Sequence, residues 1–181
     1  MKLSILGLTK KELTFVFIFI SILSVFIFVN LETAKRRGRD FQRKDDLGNL
    51  TKIIDKFQSE NGQLPLSDNG KIVGCNPVRK ENIVTFSACD WHDGVVAGIK
   101  LPFDPQTGQG FSYYFVSNGK HYQIFASLED KSDEEANQKI ITRALPCGQK
   151  ICNVGRAGNN TPVDISLEEY EKILYEQKNN K

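Results

Sequence analysis

Residues 13 to 29, "LTFVFIFISILSVFIFV", are seventeen residues without a charge, and no other feature of this 181-residue chain limits its fold so tightly. As a helix rising about 1.5 Å per residue, the run spans roughly 26 Å, near the lower limit for crossing a bilayer. Burial in a soluble core is the competing reading. It fails because so uniform a mix of Phe, Ile, Val and Leu would need apolar cover on every side in a small chain. A cleaved secretory signal is another alternative, with Lys2, Lys10 and Lys11 as its charged head. Against it, "VNLETA" places Asn30 and Glu32 where small residues should precede a cut.

Glu12 stands at the mouth of this run. A carboxylate costs little there while it touches water and headgroups, but about 2.5 to 3.5 kcal/mol if drawn to mid-depth without a partner. The position therefore asks for a cation. Lys10 and Lys11 directly precede it and can neutralise it, as in a plain uncleaved anchor. A cut after Gly7 would supply a different cation. The new amine of Leu8 would lie about one helical turn away on its own chain and within reach from a neighbouring chain.

The motif "G-L-T-x-x-E-L", the apolar helix and then "ETAKRRGRDFQRKDDLGNLTKIIDKFQSENGQLP" resemble the type IV pilin and type II secretion pseudopilin family. The similarity continues through "LPFDPQTGQGFSYYF" and "YQIFASLEDKSDE", covering residues 5 to 135. The resemblance implies cleavage between Gly7 and Leu8 by a prepilin peptidase and methylation of the new N-terminus. It also implies Glu12, fifth in the mature chain, as the residue that registers subunits during filament assembly on an inner-membrane platform, among related pilin subunits. Val29 stands where many members carry a helix-bending Pro, so a straighter helix is expected. Some members bind Ca²⁺ near the end of the sheet, which makes Glu129, Asp130 and Asp133 of "LEDKSDEE" weak calcium candidates as hard oxygen ligands. Their spacing is not that of an EF-hand loop, and a helix capped by Ser132 explains Asp133, Glu134 and Glu135 equally well. No other cofactor is expected.

Charge and cysteine usage narrow the setting. A formal charge of +2 gives no basic face of the kind nucleic acid requires. Cys75, Cys89, Cys147 and Cys152 all follow the apolar run, are even in number and lack paired C-x-x-C zinc spacing, which suits disulfides in an oxidising compartment, with free buried thiols as the alternative. Three pairings are possible. The local one joins Cys75 to Cys89, worth about 3 kcal/mol by chain entropy, and Cys147 to Cys152. Orientation is contested within the sequence. Three lysines precede the run, whereas Lys35, Arg36, Arg37, Arg39, Arg43 and Lys44 follow it, and counting basic residues places the C-terminal part in the cytoplasm. The resemblance and the cysteines imply the opposite, a single-pass cell-membrane protein with a cytoplasmic N-terminus and an extracytoplasmic domain.

Past the run, Leu47, Leu50, Ile54 and Phe57 recur at helical spacing with Ile53 beside them, and Asn61, Gly62 and Pro65 form a stop signal. A continuous helix from Leu8 to Glu60 would be roughly 80 Å long. Gly38 and Gly48 would each weaken it by about 1 kcal/mol, so a bend at either is admissible. Residues 110 to 129 read as a hairpin turning at Ser117, Asn118 and Gly119, with further strands at 82 to 87 and 71 to 74. Capping boxes at Ser132 and Ser166 open two short helices, and the segment between them reads as a Gly- and Asn-rich loop.

The expected class is α+β: a long N-terminal helix, half transmembrane and half amphipathic, packed on a small antiparallel β-sheet, with a C-terminal extension containing a short helix. The expected organisation is a leader at 1–7, a transmembrane and assembly helix at 8–30, its amphipathic continuation at 31–62, a globular α+β domain at 63–145, and a loop-and-helix extension at 146–181. With two histidines, no G-x-S-x-G elbow and no phosphate loop, the chain shows no catalytic constellation, and His92 between Asp90 and Asp93 reads as a polar loop residue. The expected function is a structural filament subunit, a pseudopilin or minor pilin. An uncleaved membrane-anchored binding domain is the alternative, and an extracellular enzyme is the least supported.

Overall fold

A computed structural model describes residues 9–81, 83–158 and 160–179. The class is α+β. The first element, α1 (Lys10–Asn61), is a helix of 52 residues whose hydrogen bonding continues through Gly38 and Gly48. It stops where the sequence signals a stop. The Gly62 N–H donates to the Gln58 carbonyl at 2.8 Å, Asn61 Nδ2 donates to the Phe57 carbonyl, and Gly62 takes φ +75°, the left-handed conformation that ends helices.

The chain forms two compact units, one ending at Gly38 and the other running from Arg39 to Lys181. In the first, every apolar residue from Leu13 to Leu31 is exposed. Among the described residues the second holds ten strands: β1 (Leu66–Asp68), β2 (Lys71–Lys80), β3 (Ile83–Ala88), β4 (Val95–Val96), β5 (Ile99–Lys100), β6 (Tyr114–Ser117), β7 (Tyr122–Ala126), β8 (Pro146–Cys147), β9 (Lys150–Ile151) and β10 (Val154–Ala157). It also holds a 3-10 turn at Thr107–Gln109 and two α-helices, α2 (Gln138–Thr142) and α3 (Leu167–Asn179).

The single expected sheet is divided. Antiparallel β1-β2-β3 and β10-β7-β6 are separate three-stranded sheets, and β4-β5 and β8-β9 are two-stranded ribbons. The two sheets meet where Phe115 donates its N–H to the Gly70 carbonyl at 2.9 Å and Ser117 donates its N–H to Ser67 Oγ. Gly70 has φ +78°, and a Cβ there would collide with the ring of Tyr114, so the crossing needs glycine twice over. Leu47, Leu50, Ile53, Ile54 and Phe57 of α1 lie in one core with Ile72, Phe115, Tyr122, Ile124 and Ala126. The stripe read at helical spacing is thus the buried face.

Two local expectations fail. The helix expected from Ser132 begins only at Gln138, because the Glu135 N–H that a Ser132 cap would accept donates instead to Asp133 Oδ1 at 2.9 Å, and Asn137 caps α2 through the Lys139 N–H. A capping hydroxyl acts as an acceptor from the backbone, and here a neighbouring carboxylate has taken that donor. The segment after Pro146, expected as a loop, contains β10, which pairs along β7 from Val154 opposite Ala126 to Ala157 opposite Gln123. Four residues, two of them Gly155 and Arg156, carry too little hydrophobic alternation to be read as a strand. The Ser166 cap does form, accepting from the Glu169 N–H at 3.1 Å. Both disulfides take the local pairing, Cys75–Cys89 and Cys147–Cys152, with Cα separations of 5.3 and 5.1 Å.

Candidate functional site

The residues singled out for assembly lie at the start of α1. Gly7 and Leu8 fall outside the described residues. Thr9 and Glu12 form a reciprocal cap in which the Thr9 N–H and hydroxyl donate to Glu12 Oε2 at 2.6 and 2.9 Å, and the Glu12 N–H donates to Thr9 Oγ1 at 3.4 Å. This is a T-x-x-E capping box, visible in "TKKE" but overlooked in reading the sequence for charge alone. It gives Glu12 a second role, since the carboxylate both satisfies backbone donors and sits on the positive end of the helix dipole. Beyond it the hydroxyls of Ser21, Ser24 and Thr33 donate to the carbonyls of Phe17, Ile20 and Val29. Their polarity is folded back onto the helix, so the run is more lipid-compatible than its composition indicates.

The second unit contains a buried ionic cluster. Arg43 is fully buried, donating through Nε and Nη2 to both oxygens of Asp104 at 2.7 and 2.9 Å. Its Nη1 donates to Asp40 and Glu129, its Nη2 also to Gln106, and its guanidinium stacks on Phe111 at 4.3 Å. The fork geometry of guanidinium suits this bidentate task, which Lys could not perform. Burial works to lower the Arg43 pKa, but Asp104, Asp40 and Glu129 outweigh it and the group is held charged. Asp40 in turn accepts the backbone N–H groups of Glu129 and Asp130, each at 2.9 Å. One cluster therefore fastens "FDP" and "SLED", two segments that carry the resemblance, to the helix. Nearby, Tyr113 donates to Asp46 at 2.6 Å, and burial raises the pKa of both groups.

No reading of the sequence picked out Arg43, Asp40 or Asp104. The available signal was spacing, since Arg43 and Asp40 continue the 3- and 4-residue steps of Leu47, Leu50, Ile54 and Phe57 toward the N-terminus. A charge on a core stripe asks for a buried partner, and Asp104 is that partner.

The calcium candidates are engaged otherwise. Glu129 takes Arg39 through two bonds of 2.6 and 2.7 Å, Asp133 takes Lys44 at 3.0 Å, and Asp130 accepts from Ser132. The Arg39 hydrogen bonds hold the Glu129 carboxyl below its ordinary range, and the Glu135 N–H with Lys44 does the same for Asp133. Among the described residues no group of three or more His, Cys, Asp or Glu side chains is placed to hold a metal ion. His92 is exposed and lies against Phe103, while Asp90 is committed to Lys71 at 2.6 Å. His121 meets Thr161 and the ring of Tyr170. Among the described residues the two histidines share no hydrogen-bond or ring partner.

A cleft of about 610 Å³ opens on one face of β2 and β3, walled by Phe57, Phe86, Val84 and Val95 beside the Cys75–Cys89 bridge. Its rim carries Glu60, Asp90, Asp93 and Arg79. Comparison with family models, with curated proteins and with solved structures finds no match.

Proposed function

We propose that the chain is a structural subunit of a membrane-rooted filament of the type IV pilin or pseudopilin kind, with no reaction of its own. The observation that carries this reading is the exposed apolar run of α1 with a single carboxylate, Glu12, at its mouth. Apolar side chains as exposed as Phe15 (74%) and Phe26 (68%) require lipid or other helices around them. In this reading the run first spans the membrane and then packs against copies of itself. Cleavage after Gly7 gives Leu8 an amine that serves Glu12 of a neighbour as counter-ion. The two disulfides favour an extracytoplasmic second unit, against the count of basic residues.

The Thr9–Glu12 cap favours a second reading, an uncleaved single-pass anchor in which Glu12 needs no partner from outside. Glu12→Gln separates the two, because Gln preserves a capping box and removes the charge. The filament reading expects Glu12→Gln and Glu12→Ala both to abolish assembly with the second unit still folded, and the mature mass to lack residues 1 to 7 and carry a methylated Leu8. An intact Met1 with unaltered behaviour of Glu12→Gln establishes the anchor instead.

A further inference from the structure

Six basic residues lie between positions 35 and 44, just past the apolar run, and four of them face carboxylates. Lys35 meets Glu32 at 3.3 Å, Arg39 meets Glu129 at 2.6 Å, Arg43 meets Asp104 at 2.7 Å and Lys44 meets Asp133 at 3.0 Å. Arg37 differs. It is exposed and makes no hydrogen bond or ion pair among the described residues. The helix sets its place along the axis. The run of exposed apolar side chains from Leu13 to Leu31 spans about 28 Å, close to the roughly 30 Å of bilayer hydrocarbon. Arg37 stands about 9 Å further along the axis than Leu31. Helical side chains lean toward the N-terminus of their helix, so an extended arginine at this position reaches roughly 6 Å back toward the run. Its guanidinium then lies about 3 Å past the apolar edge, inside a headgroup layer of about 5 to 7 Å. Lys11, before the other end of the run, leans the opposite way, and its ammonium extends to roughly 9 Å from Leu13, beyond such a layer.

We infer that Arg37 binds the phosphate of an anionic phospholipid in the leaflet at the C-terminal end of the apolar run. The inference rests on that run spanning the membrane, a premise that the filament and anchor readings share. A guanidinium suits the ligand because its fork makes two parallel N–H···O bonds to one phosphate, and a net negative lipid adds attraction that a zwitterionic one lacks. Arg39, Arg43 and Lys44 are held by carboxylates of the second unit, so their charge is spent within the fold. The contact also sets how deep the helix sits. A run slightly shorter than the hydrocarbon is accommodated by flanking side chains that reach the interface, and Arg37 is placed to do so. With that end held at the phosphates, Glu12 is kept at the opposite boundary, where its carboxylate costs little.

The test uses the full chain, extracted in mild detergent from vesicles of equal phosphatidylglycerol and phosphatidylcholine, with the retained lipid counted by native mass spectrometry. The unaltered chain is expected to retain phosphatidylglycerol in preference. Arg37→Gln should reduce that preference about fivefold, the worth of one cation beside an anionic surface. Arg37→Lys, which keeps the charge, should retain most of it. Lys52→Gln, an equal loss of charge at an exposed position further along α1, should leave it intact. Equal retention of the two lipids by the unaltered chain, an Arg37→Gln chain that keeps the preference, or a Lys52→Gln chain that loses as much overturns the inference. Retention of neither lipid overturns the membrane span along with it. Each readout is indifferent to cleavage after Gly7 and to the role of Glu12 in assembly, so the filament reading and this inference fail separately.

Discussion

Two stretches of α1 invert the usual rule of burial. From Leu13 to Leu31, in the first unit, the apolar side chains are outside; from Asp40 to Phe57, in the second, charged side chains are inside along with the apolar ones. Phe26 is 68% exposed whereas Arg43 is 0% exposed. Elementary burial energetics explain both only if each stretch has a different solvent. Exposed Phe and Ile are stable against lipid or other helices, where no water need be ordered around them. A buried guanidinium is stable only against an array of carboxylates whose remaining lone pairs are also satisfied, as Asp40 is by two backbone N–H groups. The lesson is that exposure and burial along one helix report its surroundings rather than its composition.

The comparison is broken most forcefully at Arg43. Arg43→Ala would leave Asp40 and Asp104 buried without their cation and should destabilise the second unit by about 3 to 5 kcal/mol. Phe26→Ala, an equally large deletion in the first unit, should leave that stability unchanged. Urea unfolding of the full chain in detergent, followed through Trp91 against Tyr113, checks both.

A smaller effect should come from acid. Glu129 is held below its ordinary value of 4.5 by Arg39 and Arg43, so its contribution to stability is complete above that value and is lost as pH falls through its folded value. Asp133, held down by the Glu135 N–H and Lys44, acts in the same direction. Asp46 opposes them, because burial raises its pKa and acid relieves the cost of its charge. The Tm should fall below pH 4.5, and Glu129→Gln should lower the neutral Tm while flattening that fall.

The smallest effect sharpens the comparison within the helix itself. Gly48 has ordinary helical φ, and a Cβ there would meet nothing within 4 Å. Gly48→Ala should therefore stabilise the second unit by about 1 kcal/mol, read as a higher urea midpoint.

Much of this was legible in the residues because it rests on local physics. The uncharged run, the stop at Asn61 and Gly62, the core stripe from Leu47 to Phe57, the hairpin around Asn118 and the Ser166 cap each depend on neighbours a few positions away. What misled was local in appearance and distant in cause. Val154–Ala157 looks like a loop, yet β7 offers it an edge. Arg43 looks like one of six basic residues after a membrane run, yet Asp104, sixty-one positions later, draws it into the interior.

By itself the sequence determined that a long helix carries an apolar run, where that helix ends, which face of its second half is buried and that the class is α+β, since periodicity and capping act within a turn or two. The tertiary structure alone decided the division into two sheets, the strand status of β10 and the partners of Arg43. Those depend on which distant segments meet, and a buried charge has meaning only once its neighbours in space are in place.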